Sequence, residues 1–99
     1  MNKIPYEERC EVYSAARKKF GAHMQTMVAI EEMSEVIKSI VKWHRTPVKY
    51  KDNAIASIIE EVADATIMLE QLRLIFGIND EVCEAMDAKS ERVKERVTN

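Results

Sequence analysis

Glycine and proline are nearly missing from this chain, with two of each among 99 residues. A β-sandwich or barrel needs turn residues about every 8–12 positions, so that architecture is excluded. The two cysteines, Cys10 and Cys83, stand alone without CxxC or CxH spacing. They read as reduced thiols packed as small hydrophobes, not as a disulfide or a zinc site. No apolar run approaches the roughly 20 residues that span a bilayer. The opening residues, Met1 to Glu8, lack the apolar core of a signal peptide, so a cytoplasmic location and no membrane partner are expected. Excess charge of one sign is missing too: the formal net charge is -2, which gives nucleic acid no electrostatic reason to bind.

What is present is hydrophobic and charged in helical measure, 46% and 32% of residues respectively. The expected fold class is all-α: a single domain over 1–99, a helical bundle of four main helices with a central antiparallel pair. The first helix is expected from Tyr6 to Phe20, ending at Gly21. The second runs from about His23 to His44 and stops before Thr46-Pro47. Residues 46–52 read as a loop, after which Asp52 or Asn53 caps a third helix reaching Phe76 and Gly77. A fourth opens at Asn79 or Asp80 and continues to about Val97. Met33, Ile37 and Ile40 put apolar surface on more than one side of the second helix, so a dimer or tetramer is expected.

Acids break the apolar stripes of the two central helices. Glu32 lies between Val28 and Val36 on one ridge, with Glu35 beside it in projection. On the third helix Glu61 is surrounded by Ile58, Ala65, Met68 and Leu72, and Asp64 borders it. Both pairs are acid-x-x-acid, so each projects from one side of its helix. Two unit charges about 4 Å apart repel by roughly 4 kcal/mol at an effective dielectric near 20. Four carboxylates in one groove therefore call for protonation or a cation. The ordinary alternative is a salt-bridged bundle, for which Lys38 and Lys42 offer local partners to Glu31 and Glu35. No basic residue is expected on the buried stripes themselves. All-oxygen donors suit hard cations, Mg²⁺ first and Mn²⁺ as a substitute. Neither His23 nor His44 stands three residues after a Glu, as a di-iron bundle would have it. An incomplete protein cage leaves positions for water and phosphate oxygens.

Glu31-Glu32-x-x-Glu35 followed by Glu61-x-x-Asp64 resembles the EExxE…ExxD signature of MazG-like all-α nucleoside triphosphate pyrophosphohydrolases. The likeness spans about Gly21 to Arg96 and includes Lys89-x-x-Arg92-x-x-x-Arg96, similar to a basic segment on the family's last helix. It departs at Ser90 and Asp87, where relatives often have Leu and Asn. The resemblance implies that Glu32, Glu35, Glu61 and Asp64 bind Mg²⁺, and that a nucleoside triphosphate is cut between its α and β phosphates. It further implies that Glu31 or Glu35 activates the water and that Lys89 and Arg92 meet the phosphates. Gln25, two turns before Glu32, is expected at the mouth of the groove as a substrate contact.

Trp43 and the methionines Met24, Met27, Met33, Met68 and Met86 read as core packing. Two other functions compete with hydrolysis of ordinary triphosphates. One is a non-catalytic helical module that pairs with itself or a partner. The other is phosphoribosyl-ATP pyrophosphohydrolase, whose second motif usually continues with an aromatic-His pair, whereas Asp64 is followed here by Ala-Thr-Ile-Met.

Overall fold

A computed structural model describes residues 3–98, which are helical almost throughout: α1 Tyr6–Phe20, α2 Ala22–Arg45, α3 Lys51–Ile75 and α4 Asn79–Thr98. One 3₁₀ turn, Val48–Tyr50, precedes α3. Charge placement favours α1, with Glu7 and Glu8 in its first turn and Arg17, Lys18 and Lys19 in its last, each opposing the helix dipole. Gly21 ends α1 and starts α2 in a single residue at φ +89°, a conformation that a Cβ would strain. At the end of α3 the Gly77 amide donates to Leu74 O and the Ile78 amide to Arg73 O. That pair is a Schellman motif, with Gly77 at φ +65°. Thr46 closes α2, its hydroxyl donating to Lys42 O at 2.6 Å, and Pro47 prevents continuation.

One cap differs from expectation. The 3₁₀ turn delivers the chain into α3 at Lys51, so Tyr50 occupies the N-cap without a side-chain hydrogen bond. Asp52 falls inside the first turn, where its charge still faces the positive end of the dipole. Residues 46–52 are accordingly not an irregular loop throughout.

The core lies mainly between α2 and α3 and is built from small side chains. Ala29 and Ser39 of α2 and Ala54, Ala65 and Met68 of α3 are buried. Near the start of α2 and the end of α3, Gln25 Nε2 donates to Gln71 Oε1 at 2.7 Å within this contact. At the other end Lys51 Nζ donates to Trp43 O at 3.0 Å and lies 3.7 Å from the Trp43 ring centre. Trp43 is thus a half-buried cation–π platform at the edge of the helix pair, not part of the core. Met68 alone of the five methionines expected inside is buried; Met24, Met27 and Met86 are exposed.

α1 is tied to α3 by a polar clamp. The Arg9 guanidinium donates to both Glu70 oxygens, at 3.1 and 3.2 Å, and the Tyr13 hydroxyl donates to the same carboxylate. Burial opposes ionisation of Glu70, but the bonds from Arg9 and Tyr13 outweigh it and hold the carboxyl below its ordinary value. Tyr13 is pushed up to about 12, first by burial and then by its bond to Glu70. Its proton is held more tightly folded than unfolded, so its contribution is complete below pH 10 and is lost as pH rises toward 12. Alkaline melting curves should therefore fall across that window in the wild type and less steeply in Tyr13→Phe; parallel curves would refute the clamp.

Candidate metal centre

Glu32 on α2 and Glu61 and Asp64 on α3 bring one carboxylate oxygen each to within 4.8 Å of one another. Small residues make this approach possible, because Ala29, Ser39 and Ala65 let the two helices come close on the same side. Glu61 and Asp64 are three residues apart and so share a helix side; Glu32 meets them from across the groove. Glu32 and Glu61 are half-buried and Asp64 is exposed. Burial raises the Glu32 carboxyl above its ordinary value, and the charges of Asp64, Glu61, Glu31 and Glu35 add to the rise in that order. Only acids contribute charge to the rise at Glu32, a setting that a cation would relieve.

Octahedral Mg²⁺ holds oxygens at about 2.1 Å, placing them roughly 3 Å apart when adjacent and 4 Å when opposite. The observed spread is slightly wider, so small side-chain rotations would complete the site. The donor set, oxygen only and without His or Cys, fits that ion or Mn²⁺.

Glu35 stands differently from its three expected companions. Its Oε1 accepts from Lys38 Nζ at 3.3 Å, one turn along α2. The two still belong to the same groove, for Glu35, Lys38, Ser39, Lys42, Ser57 and Glu61 line a cleft of about 200 Å³. Both lysines are exposed, off the buried stripes, and Lys38 pairs locally with Glu35 as its helical spacing allows. Glu31 is exposed next to Glu32 and adds to its rise.

Gln25, expected at a groove mouth, is buried and bonded to Gln71, with its amide turned into the helix contact. Lys89 and Arg92 lie exposed on α4, which packs against α3 and has no contact with α2. Neither forms an ion pair among the described residues. The sequence reading missed the Arg9–Tyr13–Glu70 clamp and the Gln25–Gln71 pair, whose members are 46 to 61 residues apart. Periodicity within one helix carries no information about such pairings. No family model, no curated protein and no solved structure matches the chain.

Proposed function

We propose that this protein is a Mg²⁺-dependent nucleoside triphosphate pyrophosphohydrolase of MazG-like type, converting a (d)NTP to the monophosphate and pyrophosphate in the cytoplasm. The supporting observation is the meeting of Glu32, Glu61 and Asp64 oxygens within 4.8 Å across two helices. These three would hold the ion, with Glu35 reaching it on release from Lys38. When bound, the ion would neutralise phosphate charge and lower the pKa of an attached water. Glu31, beside Glu32 in sequence, or Glu35, once released from Lys38, would accept that water's proton. The half-buried setting of Glu32 strengthens electrostatic control over the reacting phosphate relative to bulk water.

The same proposal includes assembly, as a homodimer or homotetramer built on a central antiparallel α2–α3 pair. The chain exposes 7964 Å², about 2,000 Å² more than a compact monomer of its mass would. Its radius of gyration is 16.6 Å, against about 13 Å expected for a compact chain of this length. The excess surface has a pattern. Met27, Ile30, Ile37 and Val41 on α2 repeat at spacings of three, seven and four residues, and all are exposed. Ile55, Ile59, Val62 and Leu69 do the same on α3, and Phe76 at its C-cap continues them, at spacings of four, three, seven and seven. Both are heptad seams of the kind that pack helix against helix.

Purified protein incubated with Mg²⁺ and a triphosphate panel should release monophosphate and pyrophosphate, and Mg²⁺ alone should raise the melting temperature. Release of orthophosphate without pyrophosphate would reject the assigned cleavage. An unchanged melting temperature across a Mg²⁺ or Mn²⁺ titration, with no turnover, would favour the non-catalytic helical module. Selective hydrolysis of phosphoribosyl-ATP would move the substrate assignment to that nucleotide.

A further inference from the structure

The groove that holds the acids changes sign along its length. Acids occupy α2 at 31, 32 and 35; bases follow at 38, 42 and 45. The cleft between the later half of α2 and the early half of α3 spans this change, since Glu61 belongs both to the acid cluster and to the cleft wall. Residues 35 and 42 are seven positions apart, and 38 and 39 lie three or four from each, which gathers all four on one side of α2. Two of the lining groups have no partner of their own among the described residues. Lys42 forms no ion pair, and the half-buried Ser57 hydroxyl makes no side-chain hydrogen bond. Ser39 at the floor is committed, donating to Val36 O at 2.7 Å.

We propose that this cleft is the phosphate-tail subsite, with Lys42 and the Ser57 hydroxyl binding the terminal phosphates of the triphosphate and Lys38 joining them when it leaves Glu35. The inference rests on the triphosphatase reading and assigns the polyphosphate to α2 and α3 of the acid-bearing chain itself. Size agrees, because about 200 Å³ is below the roughly 300–1,000 Å³ that encloses a whole drug-sized ligand. That volume suits a tail of phosphoryl groups better than a whole nucleotide. The lining carries two ammoniums, Lys38 and Lys42, against two carboxylates, Glu35 and Glu61. The ammoniums are compact point charges suited to non-bridging phosphate oxygens, and Mg²⁺ on the acids would offset the carboxylates. An anion seated here would draw Lys38 from Glu35 and free that carboxylate for the neighbouring acid cluster. Lys89 and Arg92 of α4 have no contact route to this cleft within one chain, because α4 does not touch α2.

The test uses the full-length protein, inorganic tripolyphosphate with Mg²⁺ as probe, and calorimetric titration. Lys42→Gln should weaken tripolyphosphate binding at least tenfold and raise KM for the nucleotide by a similar factor. Ser57→Ala should weaken it less, and Lys42→Arg should restore most of the loss. In each variant the melting-temperature rise caused by Mg²⁺ alone should persist, which reports an intact acid cluster and fold. Wild-type affinity in Lys42→Gln, or a loss seen in Lys89→Gln in its place, would overturn the subsite while leaving the metal reading standing. A wild type that binds Mg²⁺ but no tripolyphosphate would overturn it equally. Failure of the wild type to respond to Mg²⁺ at all would instead strike the triphosphatase reading.

Discussion

Glu32→Gln is expected to cut pyrophosphate release by about 100-fold or more while raising the melting temperature of the metal-free protein. The two effects share one cause. Glu32 is the acid that the others crowd, raised by burial and by Asp64, Glu61, Glu31 and Glu35. Making it neutral relieves repulsion in the empty groove, so the apoprotein gains stability. The same change removes one of three oxygens that meet within 4.8 Å. Loss of a few kcal/mol of transition-state stabilisation corresponds to a rate lower by about two orders of magnitude. The stabilising sign separates a metal site from a structural ion pair, whose disruption would lower stability. The pH dependence follows the same logic. A carboxyl whose folded pKa lies above its unfolded value favours the folded state at low pH, and that contribution is lost as pH rises through the folded value. Metal-free wild type should thus lose stability on passing upward from about pH 4.5, an effect that Glu32→Gln removes and saturating Mg²⁺ offsets. A destabilised, still active Glu32→Gln would sink the metal assignment.

Ile59→Lys is expected to turn an oligomer into a monomer at micromolar concentration, read by sedimentation velocity. Ile59 is 63% exposed in the isolated chain, and its counterparts Ile37 and Ile30 on α2 are 64% and 60% exposed. Large aliphatic side chains left so open, at seam positions on each of the two central helices, leave apolar surface that a second copy would cover. In a two-fold interface the substitution occurs twice, so even about 1.5 kcal/mol per side chain lost from burial amounts to more than a hundredfold in the dissociation constant. Charge burial adds to that loss. Ile59 is two residues from Ser57 and from Glu61, which places it on the other side of α3 from both. Mg²⁺ binding by the monomeric variant should therefore survive. A monomeric wild type would refute the assembly.

How much of this was legible in the sequence depends on the range of each interaction. Gly21, Gly77 and Thr46-Pro47 mark helix ends through local backbone chemistry, and the structure ends its helices there. The start of α3 was displaced because the 3₁₀ turn at 48–50, invisible to capping rules, feeds the helix one residue before Asp52. Within α3 the i, i+3 relation of Glu61 and Asp64 is a property of the helix alone, and phase then brought Glu32 opposite. Glu35 had the same spacing credentials yet stands with Lys38, because a local ion pair one turn away competes with a distant cluster. Gln25 shows the opposite failure. Its place two turns before Glu32 was read correctly, but its partner Gln71 depends on the register between two helices, which no single-helix pattern contains. The exposed methionines were misjudged for a related reason: an apolar residue at helical spacing reveals that a face is to be covered, not whether the same chain covers it.

The joint between α1 and α2 is one glycine long. With so short a connection, the relative pose of the two rods is governed by a pair of torsions and little else. Arg9 and Tyr13 then fasten the far half of α1 onto Glu70, so the rod is pinned beyond its pivot as a brace is. Glu70 adjoins Gln71, and the buttress consequently ends against the glutamine layer that sets how α2 and α3 lie. An arm of fifteen residues that carries none of the clustered acids is thereby joined, through Glu70 and Gln71, to the same helix pair that presents Glu32, Glu61 and Asp64.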